Sequence, residues 1–116
     1  MTENTRPIGW VRAARKALAA FPPVVQDRIN SALTIAAEGS KADIAKPLTG
    51  LGPRVMQVAV RYRTDTYRAV YTTEFKEELW VLHAFKKKSK KGVRTPRLEV
   101  ELLRARLGHL RLELRK

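Results

Sequence analysis

The chain has 116 residues and a net charge of +13 at neutral pH, and 44% of its residues are hydrophobic. This apolar fraction is enough for a core, so global disorder is excluded and one domain over residues 1–116 is expected. The basic excess is uneven: residues 1–50 carry a net +3 and residues 51–116 a net +10. Such a charge indicates a polyanionic partner, most often nucleic acid.

Other classes of protein are excluded by what the sequence lacks. No apolar run approaches the about 20 residues of a transmembrane helix, and the first ten residues lack the apolar core of a signal peptide. There is no cysteine, and His83 and His109 are the only two histidines, too few to form a metal cluster by themselves. We therefore expect a cytoplasmic protein that uses no metal or other cofactor and contacts no membrane.

The first forty residues predict a strand followed by two helices. Residues 7–11 are a short apolar segment that begins with proline, as an edge strand can. Residues 12–21 are rich in alanine and favour a helix. After two prolines, a second helix is predicted to end at Gly39. Its apolar stripe is formed by Val25, Ile29, Ala32, Leu33 and Ala36.

The character of the chain changes after residues 40–54, which are rich in glycine and proline and predict an irregular connection. Residues 55–63, 66–73 and 79–85 are rich in valine, tyrosine and threonine and are separated by short polar turns. This pattern is typical of three antiparallel strands joined in sequence order.

A last helix is predicted after a lysine-rich run, with Thr95 as its N-cap and Pro96 as its first residue. Its apolar stripe is formed by Val100, Leu103, Leu107, Leu110 and Leu114. The predicted order is β-α-α-β-β-β-α. This is an α+β domain in which an N-terminal strand, a helical hairpin and a C-terminal helix accompany a small, mostly antiparallel sheet.

Strand alternation brings two arginines together on one face of the sheet. A hairpin loop centred on residues 64 and 65 places Tyr62 opposite Tyr67 in the core, and Arg61 opposite Arg68 on the other face. Like charges in such a pair destabilise a sheet by up to about 1 kcal/mol, and an anion bound between them reverses that effect. The pair is therefore a candidate phosphate site, with a solvated outer strand face as the alternative.

His83 and a run of lysines extend this basic surface. His83 joins the arginine face unless a one-residue bulge reverses the faces of its strand, and a hydrogen-bonded structural histidine is the alternative. Five of the six residues from Lys86 to Lys91 are lysine. The run is expected to begin where the strand ends, at the rim of the same face. Taken alone, it is more typical of a solvated loop.

Three motifs accompany this order of elements: KPLTGLG at residues 46–52, DTYRAVY at 65–71 and HAFKKKSKKGVRTP at 83–96. Together they resemble the RelE/ParE superfamily of bacterial and phage toxins, and within it the HigB-like, phage-associated branch. The resemblance covers roughly residues 7–110. It implies the toxin of a type II toxin–antitoxin system, whose cognate helix-turn-helix antitoxin is expected to present an acidic surface.

The superfamily contains two kinds of toxin on one fold. Its endonucleases cleave mRNA in the ribosomal A site without a metal, by attack of the ribose 2′-OH on the adjacent phosphate, which stops translation. Others inhibit DNA gyrase. The resemblance implies a ribosome-dependent mRNA interferase, with a non-catalytic gyrase inhibitor or a basic nucleic-acid-binding module as the alternative.

The resemblance also implies roles for individual residues. Arg68 matches the arginine that stabilises charge in the transition state, with basic support from Arg61 and Lys88. His83 is the candidate acid or base, because histidine ordinarily titrates near neutral pH. Some relatives carry a catalytic tyrosine or histidine in the last helix. Here that helix has no tyrosine, and its one histidine, His109, lies within the leucine pattern. Contacts to the RNA backbone are expected from Arg63, Lys86, Lys87, Lys90, Lys91 and Arg94.

Overall fold

Five strands and three helices make up the computed structural model, which describes residues 5–88 and 97–114. The elements are β1 (Ile8–Trp10), α1 (Arg12–Ala19), α2 (Pro23–Ala37), β2 (Ala45–Pro47), β3 (Val55–Tyr62), β4 (Asp65–Thr72), β5 (Leu79–Lys88) and α3 (Arg97–Leu114). The strands form one sheet in the order β1-β5-β4-β3-β2, antiparallel except where β1 lies beside β5. The predicted α+β class is confirmed.

Helices cover both faces of the sheet. On one face, α1 and α2 form a core with Val58, Val60 and Tyr71 of the strands. On the other face, α3 forms a second core with Val70 and Leu82. The sheet is therefore the middle of three layers. In the described part of the chain, no helix combines the length and the apolar character needed to cross a membrane.

The boundaries of α2 follow the sequence closely. Pro23 lies in the first turn, where its missing N–H leaves no hydrogen bond unmade. All five residues of the predicted stripe are buried. Gly39 has a φ of 96°, a left-handed conformation, and its N–H donates to the Ala36 carbonyl at 3.0 Å. This is the helix end that the glycine predicts.

Residues 40–54 contain a strand, β2, that the sequence analysis missed. β2 pairs antiparallel with the start of β3. Its outer edge is closed locally, because the Ala45 N–H donates to the Ala42 carbonyl at 3.0 Å and Lys41 Nζ donates to the Ala45 carbonyl at 3.1 Å. Pro47 has no N–H to offer. A strand this short, ending in proline, shows no alternation by which it is recognised in a sequence.

The loop between β3 and β4 lies one residue earlier than predicted. Only Arg63 and Thr64 separate the paired residues Tyr62 and Asp65, so the predicted pairing of Tyr62 with Tyr67 is wrong. Arg63 makes the reversal with a φ of 59°, and its guanidinium lies 5.2 Å from the centroid of the Tyr62 ring. Glycine or asparagine usually occupies such a position, so the arginine concealed the turn.

The shifted loop also corrects the predicted arginine pair. Arg61 lies opposite Thr66, and Arg68 lies opposite Ala59, so the two arginines are diagonal neighbours and not a direct pair. The register moves by two residues, which leaves every side chain on its predicted face. Arg61 and Arg68 therefore still share a face of the sheet.

The strand β5 is longer than predicted. Lys86–Lys88 belong to it and pair with the first residues of β4, so the prediction that the lysine run begins beyond the strand is wrong. A meander strand gains backbone hydrogen bonds for as long as its neighbour continues, and β4 reaches Asp65. Thr95 and Pro96, the predicted start of the last helix, lie outside the described residues.

A bulge in β5 decides which side chains reach α3. Val81 lies opposite Tyr71 and His83 lies opposite Val70, so Leu82 is an extra residue in the strand. Both Leu82 and His83 consequently lie on the α3 face, with Trp80. Ala84 packs in the core under α1 and α2. Strict alternation along β5 would place Ala84 on the same face as Trp80 and Leu82, but the bulge shifts the alternation by one.

Two arginines attach distant parts of the chain to the connection between β4 and β5. Arg6 Nη1 donates to the carbonyl oxygens of Thr73 at 3.1 Å and Phe75 at 2.8 Å. Arg111, near the end of α3, donates to the two carboxylate oxygens of Glu74 at 2.6 and 2.7 Å. These hydrogen bonds raise the pKa of Arg111 above its ordinary value. The β4–β5 connection is thus held by hydrogen bonds from residues near both ends of the chain.

Candidate nucleic-acid interface

The apolar stripe of α3 packs against one half of its sheet face. It contacts the half nearest the β4–β5 connection, where Val70 and Leu82 are fully buried beneath it. The other half, towards the β3–β4 loop, carries three basic side chains from three different strands. We call its six residues the basic floor: Ala59 and Arg61 of β3, Thr66 and Arg68 of β4, and Phe85 and Lys87 of β5.

Arg68 is the buried cation at the centre of the basic floor. Only 4% of its surface is exposed, and it lies between Ala59 and Phe85. Its Nε has no hydrogen-bond partner among the described residues. Burial lowers the pKa of Arg68 below its ordinary value, because the charged form loses hydration. A buried charge left in this state destabilises the protein, and a bound anion would offset that cost.

Arg61 and Lys87 flank Thr66 in the next row of the sheet. Arg61 is exposed, and Lys87 is partly buried. Positive charge from β3, β4 and β5 is therefore concentrated around one small area. Arg61 and Arg68 lie on the same face of the sheet, as predicted, but as diagonal neighbours; that they form one binding site stays a prediction. This arrangement suits an anion with several oxygens, since guanidinium groups present several donors in one plane.

His83 borders the basic floor and is held by two side chains of α3. Its Nε2 is 2.5 Å from Glu99 Oε1, and its Nδ1 is 3.2 Å from Arg106 Nη1. Because a guanidinium only donates, Nδ1 must accept, and the ring proton lies on Nε2 and is donated to Glu99. Arg106 also donates to the Leu82 carbonyl at 2.8 Å, at the bulge. We call these three side chains the histidine clamp.

The histidine clamp connects α3 to the centre of the basic floor. The His83 ring stacks on Phe85 with centroids 4.8 Å apart and an interplanar angle of 23°. Phe85 in turn lies opposite Arg68. The predicted face of His83 is confirmed, and both of its ring nitrogens are hydrogen-bonded, as in the structural alternative. Its catalytic role stays a prediction.

Two other predicted binding residues, Arg63 and Lys86, do not lie on the basic floor. Arg63 lies in the exposed loop, where a hydrogen bond to the Tyr62 side chain raises its pKa. Lys86 lies on the opposite face, with Nζ 3.8 Å from Asp65 Oδ2. The backbone of Lys88 pairs with that of Asp65, and the structure does not describe the Lys88 side chain. The remaining predicted residues fall outside the described ranges: Lys90, Lys91 and Arg94.

Sequence reasoning missed three charged residues of this region. Lys46 lies on β2 at the edge of the same face, inside a motif that was recognised but assigned to no strand. Glu99 and Arg106 lie about two helical turns apart on α3, so they project from one side of it. That spacing was visible in the sequence. Their common partner was not, because it depends on how the helix docks.

Comparison with known proteins gives one family match and several structural likenesses. The family model described as phage derived protein Gp49-like (DUF891) matches residues 16–108. No curated protein matches the sequence. The fold resembles the isolated Escherichia coli toxin RelE, with a TM-score of 0.55 and 18% identity over 86% of this chain and 97% of that chain.

Two further structures share the fold. One is a double arginine-to-alanine mutant of E. coli RelE in the free state, with a TM-score of 0.55 and 18% identity over 69% of this chain and 81% of that chain. The other is the toxin–antitoxin complex RelBE2 from Mycobacterium tuberculosis, with a TM-score of 0.50 and 15% identity over 76% of this chain and 98% of that chain.

Proposed function

Since the chain belongs to the Gp49-like phage-derived family, within the RelE/ParE superfamily, we propose that it is the toxin of a type II toxin–antitoxin system and cleaves mRNA on the ribosome. One observation supports this proposal above the others: Arg68 is buried, charged and without a hydrogen-bond partner for its Nε among the described residues. A side chain that costs stability in this way is typical of a site whose partner is a ligand.

In the proposed reaction, the ribose 2′-OH attacks the adjacent phosphorus, and the bond to the next nucleotide's 5′-oxygen breaks. The products are a 2′,3′-cyclic phosphate and a 5′-hydroxyl. Negative charge gathers on the non-bridging oxygens in the transition state, where Arg68 donates to them from a poorly hydrated position. Arg61 and Lys87 hold the flanking backbone. The 2′-OH proton leaves to a base, and the 5′-oxygen takes up a proton from an acid.

His83 is the acid in this proposal. RNA displaces Glu99 and the contact between Nδ1 and Arg106 opens, so the ring takes up a second proton from solvent; the imidazolium then donates its Nε2 proton to the leaving 5′-oxygen and returns to neutral imidazole. We also assign Lys88, the residue after Lys87, a supporting positive charge in this reaction. This assignment rests on the family resemblance alone. Ribosomes and mRNA as targets imply action in the cytoplasm.

One observation favours a second candidate function, a non-catalytic toxin that binds RNA or inhibits DNA gyrase. Both ring nitrogens of His83 are already hydrogen-bonded within the protein, and Glu99 is engaged in the same contact. A clamp of this kind stabilises the fold without any proton transfer. In this candidate, the basic floor binds a phosphate but breaks no bond.

Expression in growing cells with mapping of mRNA 5′ ends separates the two candidates. We expect the wild type to produce 5′ ends inside translated codons and Arg68→Ala to abolish them. The matched control is Arg15→Ala, which removes an exposed arginine from α1 on the other side of the sheet. Growth arrest with intact mRNA and inactive gyrase would contradict the endonuclease and favour the second candidate.

The proposed partner is an antitoxin, and RelBE2, whose fold this chain shares, was solved as a toxin–antitoxin complex. We propose that an acidic surface of the antitoxin covers the basic floor. Its affinity should then fall steeply as salt rises towards about 1 M, because screening weakens exposed charge pairs. A dissociation constant that does not change over this range would contradict an electrostatic interface.

A further inference from the structure

Lys46 lies on the face of the sheet that carries the basic floor. It pairs with Gln57 at the edge of the sheet, and its neighbour Ala45 is buried in the core under α1 and α2. Because successive side chains of a strand point to opposite faces, Lys46 points to the α3 face. It is exposed and forms no hydrogen bond or ion pair with the residues that the structure describes.

The path from Arg68 to Lys46 runs diagonally over small or polar side chains. Ala59 lies opposite Arg68, and Gln57, the next residue of β3 on this face, lies opposite Lys46. Strand spacing and residue rise put the Cα atoms of Arg68 and Lys46 about 12 Å apart. Ala59 has only a methyl group; we call this path, from Arg68 over Ala59 and Gln57 to Lys46, the trough.

Further arginines border the trough. Arg61 lies on the side towards the β3–β4 loop. On the helix side, exposed Arg104 of α3 donates from Nη2 to the Gly50 carbonyl at 3.2 Å, which holds it near the chain that follows β2. The trough therefore has a buried cation at one end, an exposed cation at the other, and an arginine along each side.

We propose that the trough is a backbone track, in which Lys46 binds a second phosphate of the same single-stranded RNA that Arg68 contacts. The inference rests on the proposed function, since it takes the basic floor as the RNA site, and it adds the direction of the strand. The RNA crosses β4, β3 and β2 beside α3.

The test is the salt dependence of RNA binding by the purified protein. The probe is a fluorescent oligouridine of about 12 nucleotides, 2′-O-methylated so that it cannot be cleaved, at about 50 to 200 mM KCl. Loss of one phosphate contact lowers the slope of log affinity against log salt by about 0.7, or about fivefold in affinity at 0.1 M salt. We expect this change for Lys46→Ala and for Lys46→Gln.

The matched control is Lys16→Ala, which removes the same charge from an exposed position on α1, across the sheet. It should leave the slope unchanged, and Lys46→Arg should restore the wild-type slope. Equal slopes for Lys46→Ala and Lys16→Ala would overturn the proposal. A wild type that does not bind the probe would overturn it as well.

Failure of the track and failure of the proposed function give different results. If the wild type cleaves mRNA in cells while Lys46→Ala keeps the wild-type slope, the track is wrong and the endonuclease stands. If Lys46→Ala lowers the slope while cellular mRNA stays intact, the track stands and the endonuclease is wrong.

Discussion

The two faces of the sheet are built on different principles. Under α1 and α2, the strands contribute an apolar surface that includes Val58, Val60 and Tyr71. Under α3, an apolar half adjoins the basic floor, where Arg68 is buried without a partner for its Nε among the described residues. The two faces therefore contribute differently to stability. Burial of the apolar face supplies free energy of unfolding, which offsets the cost of keeping the buried charge of Arg68 on the other face.

The largest expected effect lies on the apolar face. Leu33 of α2 is fully buried, so Leu33→Ala should lower the free energy of unfolding by about 3 kcal/mol. Urea denaturation measures this change. The control is Leu112→Ala in α3, whose side chain is 73% exposed, and we expect almost no effect from it. Similar losses of unfolding free energy for both variants would contradict the placement of Leu33 in the core and of Leu112 at the surface.

A smaller loss is expected from the histidine clamp. Arg106→Met removes the hydrogen bonds to the Leu82 carbonyl and His83 Nδ1, and should cost about 2 kcal/mol in urea denaturation. Nitrogen chemical shifts of the His83 ring should report the Nε2–H form in the wild type and a mixture of tautomers in the variant. Arg97→Met, at a side chain that is 91% exposed, is the control. An unchanged tautomer in Arg106→Met would contradict the clamp.

A gain in stability with a loss of function is expected at the basic floor. Ala59→Glu places a carboxylate directly opposite Arg68, and such a cross-strand pair contributes up to about 1 kcal/mol. The thermal midpoint should rise, and the proposed mRNA cleavage in cells should be lost, because the carboxylate would occupy the place of the phosphate in the proposed reaction. Ala59→Gln, of similar size and without charge, should gain less. A destabilised Ala59→Glu protein would contradict the view that Arg68 Nε lacks a partner among the described residues.

Two glycines should give small effects of opposite sign. Gly39→Ala puts a side chain at a φ of 96°, whereas Gly108→Ala adds a methyl group inside α3, and neither new Cβ meets an atom within 4 Å. The first should destabilise by about 1 kcal/mol, through strain alone. The second should stabilise by about 1 kcal/mol, because alanine favours helix over glycine. Thermal denaturation of both variants measures the contrast, and equal signs would contradict it.

Much of the fold could be read from the sequence. The stripe of α2, its end at Gly39 and the three long strands follow from local preferences that act within a few residues. The shared face of Arg61 and Arg68 was also predictable, since alternation depends only on parity. The error in their pairing came from one arginine, Arg63, in a turn position where glycine is usual.

The remainder depended on contacts between distant segments. β2 is defined by its neighbour β3, and the bulge at Leu82 is defined by pairing with β4. The histidine clamp requires the docked position of α3, which an apolar stripe leaves undetermined along the helix axis. The part of the site that concerns chemistry was therefore the part least accessible to sequence reasoning.

The anchoring of the β4–β5 connection has a consequence for the lifetime of the folded state. Arg6 contacts residues 67 and 69 positions away, and Arg111 contacts Glu74 from 37 positions away. Contacts with such large sequence separations are expected to form after the local hairpins, beyond the main folding barrier. Weakening them should therefore accelerate unfolding and leave the folding rate nearly unchanged. These two arginines would then act as a kinetic lock, which sets how long each folded molecule survives before it opens.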